Sequence, residues 1–89
     1  MFHPALAAAH ANLGAAYVQQ GDYGQASVHL EIVTRLEPAS AEAHYNLGLV
    51  QSRQGETAPA REEFEAAIAL APDSPWAALA RNRKGRNGP

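Results

Sequence analysis

Apolar residues return at intervals of three and four along four consecutive segments, the period of a helix with one face turned from water. Leu6, Ala9, Leu13, Ala16 and Tyr17 form the first such stripe and predict a helix from Pro4 to Gln20. Proline suits a first turn, where its missing N–H would have had no intrahelical partner. Tyr23, Ala26, Leu30 and Val33 mark a second helix, from Tyr23 to Leu36, and Ala43, Leu47 and Val50 a third, from Ala41 to Gln54. A fourth carries Ala60, Phe64, Ala67 and Ile68 inward, has Pro59 in its first turn, and stops at Ala71 and Pro72. Gly21 and Gly55 stand where a left-handed residue ends a helix. Asp22, Ser40 and Thr57 occupy expected N-caps, and Glu42 lies in a first turn, where the helix dipole favours an acid. Ser74 followed by Pro75 predicts a short fifth helix to about Arg83. Gly85, Gly88 and Pro89 predict fraying beyond it. Helices joined by turns this short pack as antiparallel neighbours.

The segments are also copies of one another. Ala9, His10, Ala11, Asn12, Leu13 and Gly14 reappear 34 positions later as Ala43, His44, Tyr45, Asn46, Leu47 and Gly48. The same offset links Gln20 and Gly21 to Gln54 and Gly55, Ala26 to Ala60, Leu30 to Phe64, Glu31 to Glu65, Leu36 to Leu70 and Pro38 to Pro72. One fixed period, carried through turns as well as apolar positions, is the mark of stacked helical units.

These residues resemble the tetratricopeptide repeat, a helix–turn–helix unit of 34 residues. With repeat one at 7–40 and repeat two at 41–74, the family's leucine and glycine fall on Leu13, Gly14, Leu47 and Gly48. Its helix-B alanine falls on Ala26 and Ala60, its aromatic on Leu30 and Phe64, and its closing proline on Pro38 and Pro72. The tyrosine matches Tyr17 but is Gln51 in repeat two, and histidine (His10, His44) replaces the tryptophan. The resemblance implies an all-α, right-handed helical-hairpin solenoid of two units, ended by a capping helix and basic tail at 75–89. Chain 1–89 is then a single repeat domain. Arg81 and Asn82 stand where leucine and glycine would recur, so the fifth helix is expected to be a polar-faced cap that covers the fourth with Trp76 or Leu79. Small residues at Gly14, Gly48, Ala26 and Ala60 mark the close crossings that the resemblance implies.

Composition narrows the chemistry. Absence of cysteine removes disulfides, thiolate catalysis and cysteine-based zinc sites. The net charge of −2 conceals a basic tail (Arg81, Arg83, Lys84, Arg86) behind a body of nine acids against Arg35, Arg53 and Arg61. No apolar run approaches the roughly 20 residues of a membrane span. The alanine-rich start, Pro4 to Ala11, lacks a basic n-region and is broken by histidines and Asn12, so it reads as mature helix. The sequence does not set the compartment, and the cytoplasm is the default.

The resemblance also implies the working surface, the concave face of each first helix. There repeat two carries Glu42, Tyr45, Asn46, Leu49 and Arg53, and repeat one Ala8, Ala11, Asn12, Ala15 and Gln19. Asparagine has a donor and an acceptor for a peptide backbone, Tyr45 and Leu49 suit an apolar side chain, and Arg53 suits a carboxylate. The expected partner-binding residues are therefore Asn12, Gln19, Glu42, Tyr45, Asn46, Leu49 and Arg53, and the expected ligand is a protein or peptide. Of the lysine-rich carboxylate clamp found in some family members only the asparagine is matched, at Asn12 and Asn46. The basic tail supplies an alternative, binding to nucleic acid or an anionic surface.

No enzymatic activity and no cofactor are expected. Glu62, Glu63 and Glu65 read as a solvated outer face, with Arg61 placed to pair with Glu65. Gly21 to Gly24 lacks the length and lysine of a phosphate loop. His10 and His44 lie a full repeat apart at hairpin-packing positions, and His3 shares a face with His10 only if the helix starts before Pro4, so no metal site is expected. Two units with a short cap leave the first helix uncovered, which predicts a homodimer joined through the flank of residues 4–36 or by exchange of the terminal helix.

Overall fold

A computed structural model describes residues 4–86, so His3 and the last three residues lie outside it. Its helices are α1 (Pro4–Gln19), α2 (Tyr23–Leu36), α3 (Ala41–Arg53), α4 (Thr57–Leu70) and α5 (Pro75–Arg86), with no strand among the described residues. α1 packs on α2 and α3 on α4 as two hairpins, α2 joins them by packing on α3, and α5 closes over α4 with a lighter contact to α3. The result is the expected helical-hairpin solenoid.

The turns repeat as faithfully as the helices. Gly21 and Gly55 take φ of 77° and 80°, a region costly for residues with a Cβ. Asp22 N–H then reaches back to the Tyr17 carbonyl at 2.9 Å, and Glu56 N–H to that of Gln51 at the same distance. The Asp22 carboxylate caps α2 by accepting from Gln25 N–H, and the Ser40 and Ser74 hydroxyls cap α3 and α5. α4 departs from expectation. Thr57 is its first helical residue and Glu56 occupies the cap position without a side-chain bond. Glu56 is the register equivalent of Asp22 (22 + 34 = 56), and its side chain is one methylene longer.

Each hairpin crosses where the sequence has its small residues. A Cβ on Gly48 would lie 2.7 Å from Phe64 Cε1, and one on Gly14 would lie 2.8 Å from Leu30 Cδ2. Ala26 and Ala60 are fully buried at the same crossings. Around them stand two core clusters. Leu47 and Val50 of α3 pack with Ala26 and Leu30 of α2, while Tyr45 packs with Ala60, Phe64, Ala67 and Ala80.

All of the stripe expected to bury α1 except Tyr17 faces water instead. Leu6 is 46% and Leu13 44% exposed, and Ala9 and Ala16 are exposed with them. The buried side is Ala7 and Gly14, flanked by half-buried His10, Ala11, Tyr17 and Val18. Register explains the difference. Leu13 corresponds to Leu47 (13 + 34 = 47), which is 2% exposed because α2 lies over it. No described helix precedes α1 to do the same for Leu13.

At the other end α5 runs three residues past the expected Arg83. Trp76 and buried Ala80 pack with the core residues of α3 and α4, and Ala77 is buried as well, whereas Leu79 is 42% exposed. Two polar contacts fasten this cap: Lys84 Nζ to Glu65 Oε2 at 2.9 Å, and Arg81 Nη2 donating to the Pro72 carbonyl at 3.1 Å.

Candidate functional site

α2 packs on both α1 and α3, and the three helices line a recess. The recess has a volume of ≈ 300 Å³. α1 contributes Ala11, Ala15, Val18 and Gln19, α3 contributes Asn46, Leu49, Val50 and Arg53, and α2 supplies Tyr23 and Leu30. Alanines one turn apart on α1 leave the space, since any larger pair would fill it. Its lining is mainly apolar, with the amides of Gln19 and Asn46 and the Arg53 guanidinium added.

Arg53 is positioned by the end of the first hairpin. Its Nη1 donates to the Tyr23 hydroxyl at 3.1 Å, and its guanidinium carbon lies 5.9 Å from the centre of the Tyr23 ring. Tyr23 is the first residue of α2, presented just after the Gly21 turn. At an exposed site such a cation–aromatic contact contributes about 0.5–1 kcal/mol, enough to bias the arginine without locking it.

Of the residues expected on this face, Gln19, Asn46, Leu49 and Arg53 line the recess. Asn12 and Glu42 are exposed but stand outside its lining. Tyr45 is the correction. It is 5% exposed, with its ring tilted against Phe64 and Trp76 at 5.9 Å from each. Trp76 reaches it from α5, so the capping helix turns a concave-face aromatic into core. Val18, Tyr23, Leu30 and Val50 also line the recess, although the sequence pattern assigns the last three to packing and gives Val18 no role. A face drawn on one helix at a time does not contain them, because they enter where three helices meet.

Polar contacts inside the two hairpins share a register. His10 and His29 approach in the first, Nδ1 to Nδ1 at 3.0 Å. In the second, His44 Nδ1 lies 2.6 Å from Glu63 Oε1 and His44 Nε2 lies 2.8 Å from the Pro38 carbonyl. Glu63 is therefore half-buried in the hairpin and not on the solvated outer face expected of it. Glu65 is on that face. Lys84, through its hydrogen bond and then its charge, holds the Glu65 carboxyl below its ordinary value, and the charge of Arg61 acts in the same direction.

Among the described residues no three histidines or acids gather in a metal-binding group, and no helix is long and apolar enough to cross a membrane. A protein-family model described as "Tetratricopeptide repeat" matches residues 11–75, most of the chain. No curated protein matches it.

Proposed function

Because the chain belongs to the tetratricopeptide repeat family, whose domains are generally non-catalytic protein-interaction modules, we propose that it holds a peptide segment of a partner in the recess between α1 and α3. The observation that carries this reading is the lining itself: an apolar surface of Ala11, Ala15, Leu49 and Val50 with two side-chain amides and one guanidinium around it. An apolar ligand side chain would sit against the alanines and leucine. Gln19 and Asn46 would pair with the ligand backbone, and Arg53 would receive a carboxylate.

Peptide display against the immobilised chain, followed by calorimetry on selected peptides, tests it. Ala15→Trp fills the recess and should abolish binding, while Arg53→Ala should weaken acidic peptides and flatten their salt dependence. Glu62→Ala, on the outer face, should change neither. Peptides that bind Ala15→Trp and Arg53→Ala as they bind wild type would place the working surface elsewhere.

The basic tail is the weaker alternative. Two of its four cations are engaged within the fold, Lys84 with Glu65 and Arg81 with the Pro72 carbonyl. Binding through the tail would fall steeply with salt and vanish on removal of residues 81–89, whereas recess binding survives both changes. Self-association is a separate reading, carried by the exposure of Leu6 and Leu13. A second copy would cover this flank directly or by exchange of a terminal helix. Light scattering at high concentration should then report a dimer in wild type and a monomer in Leu6→Glu/Leu13→Glu, and a monomeric wild type removes the idea.

A further inference from the structure

The first hairpin holds a cluster that the peptide recess does not use. His10 on α1 and His29 on α2 bring their Nδ1 atoms to 3.0 Å, with ring centroids 5.3 Å apart and planes inclined by 25°. Tyr17 stacks on His29, its ring centre 5.6 Å away and 8° from parallel. Both histidines are half-buried, so each keeps some contact with water. As the pair stands, one ring donates its Nδ1 proton to the other.

Two imidazole nitrogens this close also meet the distance requirement of a chelate. Metal–nitrogen bonds of about 2.0–2.1 Å at a tetrahedral centre place two ligand nitrogens roughly 3.3 Å apart, slightly more than the separation here. With the ring centres 5.3 Å apart the two Nδ1 atoms face each other head-on, so a shared ion requires both rings to turn by roughly 35°, each carrying its proton on Nε2. We infer that His10 and His29 form a two-histidine clip for a divalent first-row transition ion of the zinc, nickel or copper class, bound through both Nδ1 atoms and joining α1 to α2. Imidazole ligands favour those ions, whereas magnesium and calcium require oxygen donors, which this pair lacks. Water completes the coordination, since no third protein ligand gathers with the pair among the described residues. The sequence pattern points to no metal site, since these histidines lie on different helices and meet only across the hairpin.

The second hairpin is an internal control. Glu63 stands at the position of His29 (29 + 34 = 63), and both nitrogens of His44 already face oxygen acceptors. His44 therefore offers no ring nitrogen without breaking one of those contacts.

Zinc titration of the full chain at neutral pH, followed through the ring nitrogen resonances of its four histidines by NMR, tests the inference. Saturable shifts at Nδ1 of His10 and His29, with His44 unmoved and a raised melting temperature, are expected. His10→Ala and His29→Ala should each lose the saturable uptake, and His3→Ala should retain it. Wild-type spectra carry the assignment even where a histidine variant fails to fold. No saturable change, shifts confined to His3 or His44, or a folded His29→Ala variant that takes up zinc like wild type would overturn it.

Discussion

His44 meets Glu63 across the second hairpin at the register where His10 meets His29 across the first (10 + 34 = 44; 29 + 34 = 63), at 2.6 and 3.0 Å. One repeat position thus carries an acid–base contact in one unit and an imidazole pair in the other. The backbone frame is common, and the chemistry hung on it differs by a single side chain.

Glu63→Ala should cost about 1–2 kcal/mol of folding stability, because a charge-assisted contact is lost inside a half-buried hairpin. Glu62→Ala, one residue away on the exposed face, should stay within about 0.5 kcal/mol of wild type. Urea unfolding of the two variants checks the contrast, and equal midpoints would show that the His44 contact adds nothing.

Gly48→Ala sets two effects against each other. Alanine gains about 1 kcal/mol of helix propensity over glycine, yet its Cβ would sit 2.7 Å from a Phe64 ring atom. Overpacking of this kind costs about 1–3 kcal/mol, so net destabilisation is expected. Gly14→Ala should be milder, since Leu30 can change rotamer where a rigid ring cannot. Thermal melts that rank the two variants the other way would show that the crossings differ from this account.

Tyr45→Ala should lower stability by about 3–5 kcal/mol, the range for emptying a buried aromatic site. That is a large share of the roughly 5–15 kcal/mol that holds a small domain together. Loss of peptide binding in this variant would therefore report unfolding, to be read by circular dichroism beside any binding assay. Tyr45→Phe keeps the contacts with Phe64 and Trp76 and should melt near wild type.

The Glu65–Lys84 pair predicts a pH signature at the C-terminal cap. Because the folded carboxyl is held below its ordinary 4.5, the stabilisation is fully present above that value and is lost as pH falls through the lowered one. Glu65→Gln should then melt slightly below wild type at neutral pH, and the gap should close in acid. Added salt should narrow it as well, since the pair is exposed. A gap that persists in strong acid would assign the difference to something other than this ion pair.

From the sequence alone came the number, kind and approximate ends of the helices, the pairing into hairpins, and the small residues at their crossings. The helices and their pairing follow from local rules and one repeated period, and the crossings from the family resemblance, so they survive without knowledge of what lies across the fold. Gln19, Asn46, Leu49 and Arg53 stand on the helix face that the family resemblance marks, and they line the recess. Tertiary structure decided the fate of residues whose surroundings come from elsewhere in the chain. Tyr45 is core because Trp76, 31 positions later (76 − 45 = 31), closes over it, and Leu13 is exposed because no described helix does for it what α2 does for Leu47. Glu63 is turned inward by His44, and Tyr23 enters the recess by meeting Arg53 of the next unit. Period and propensity say which way a side chain points from its own helix, but burial depends on what stands opposite, and only packing supplies that.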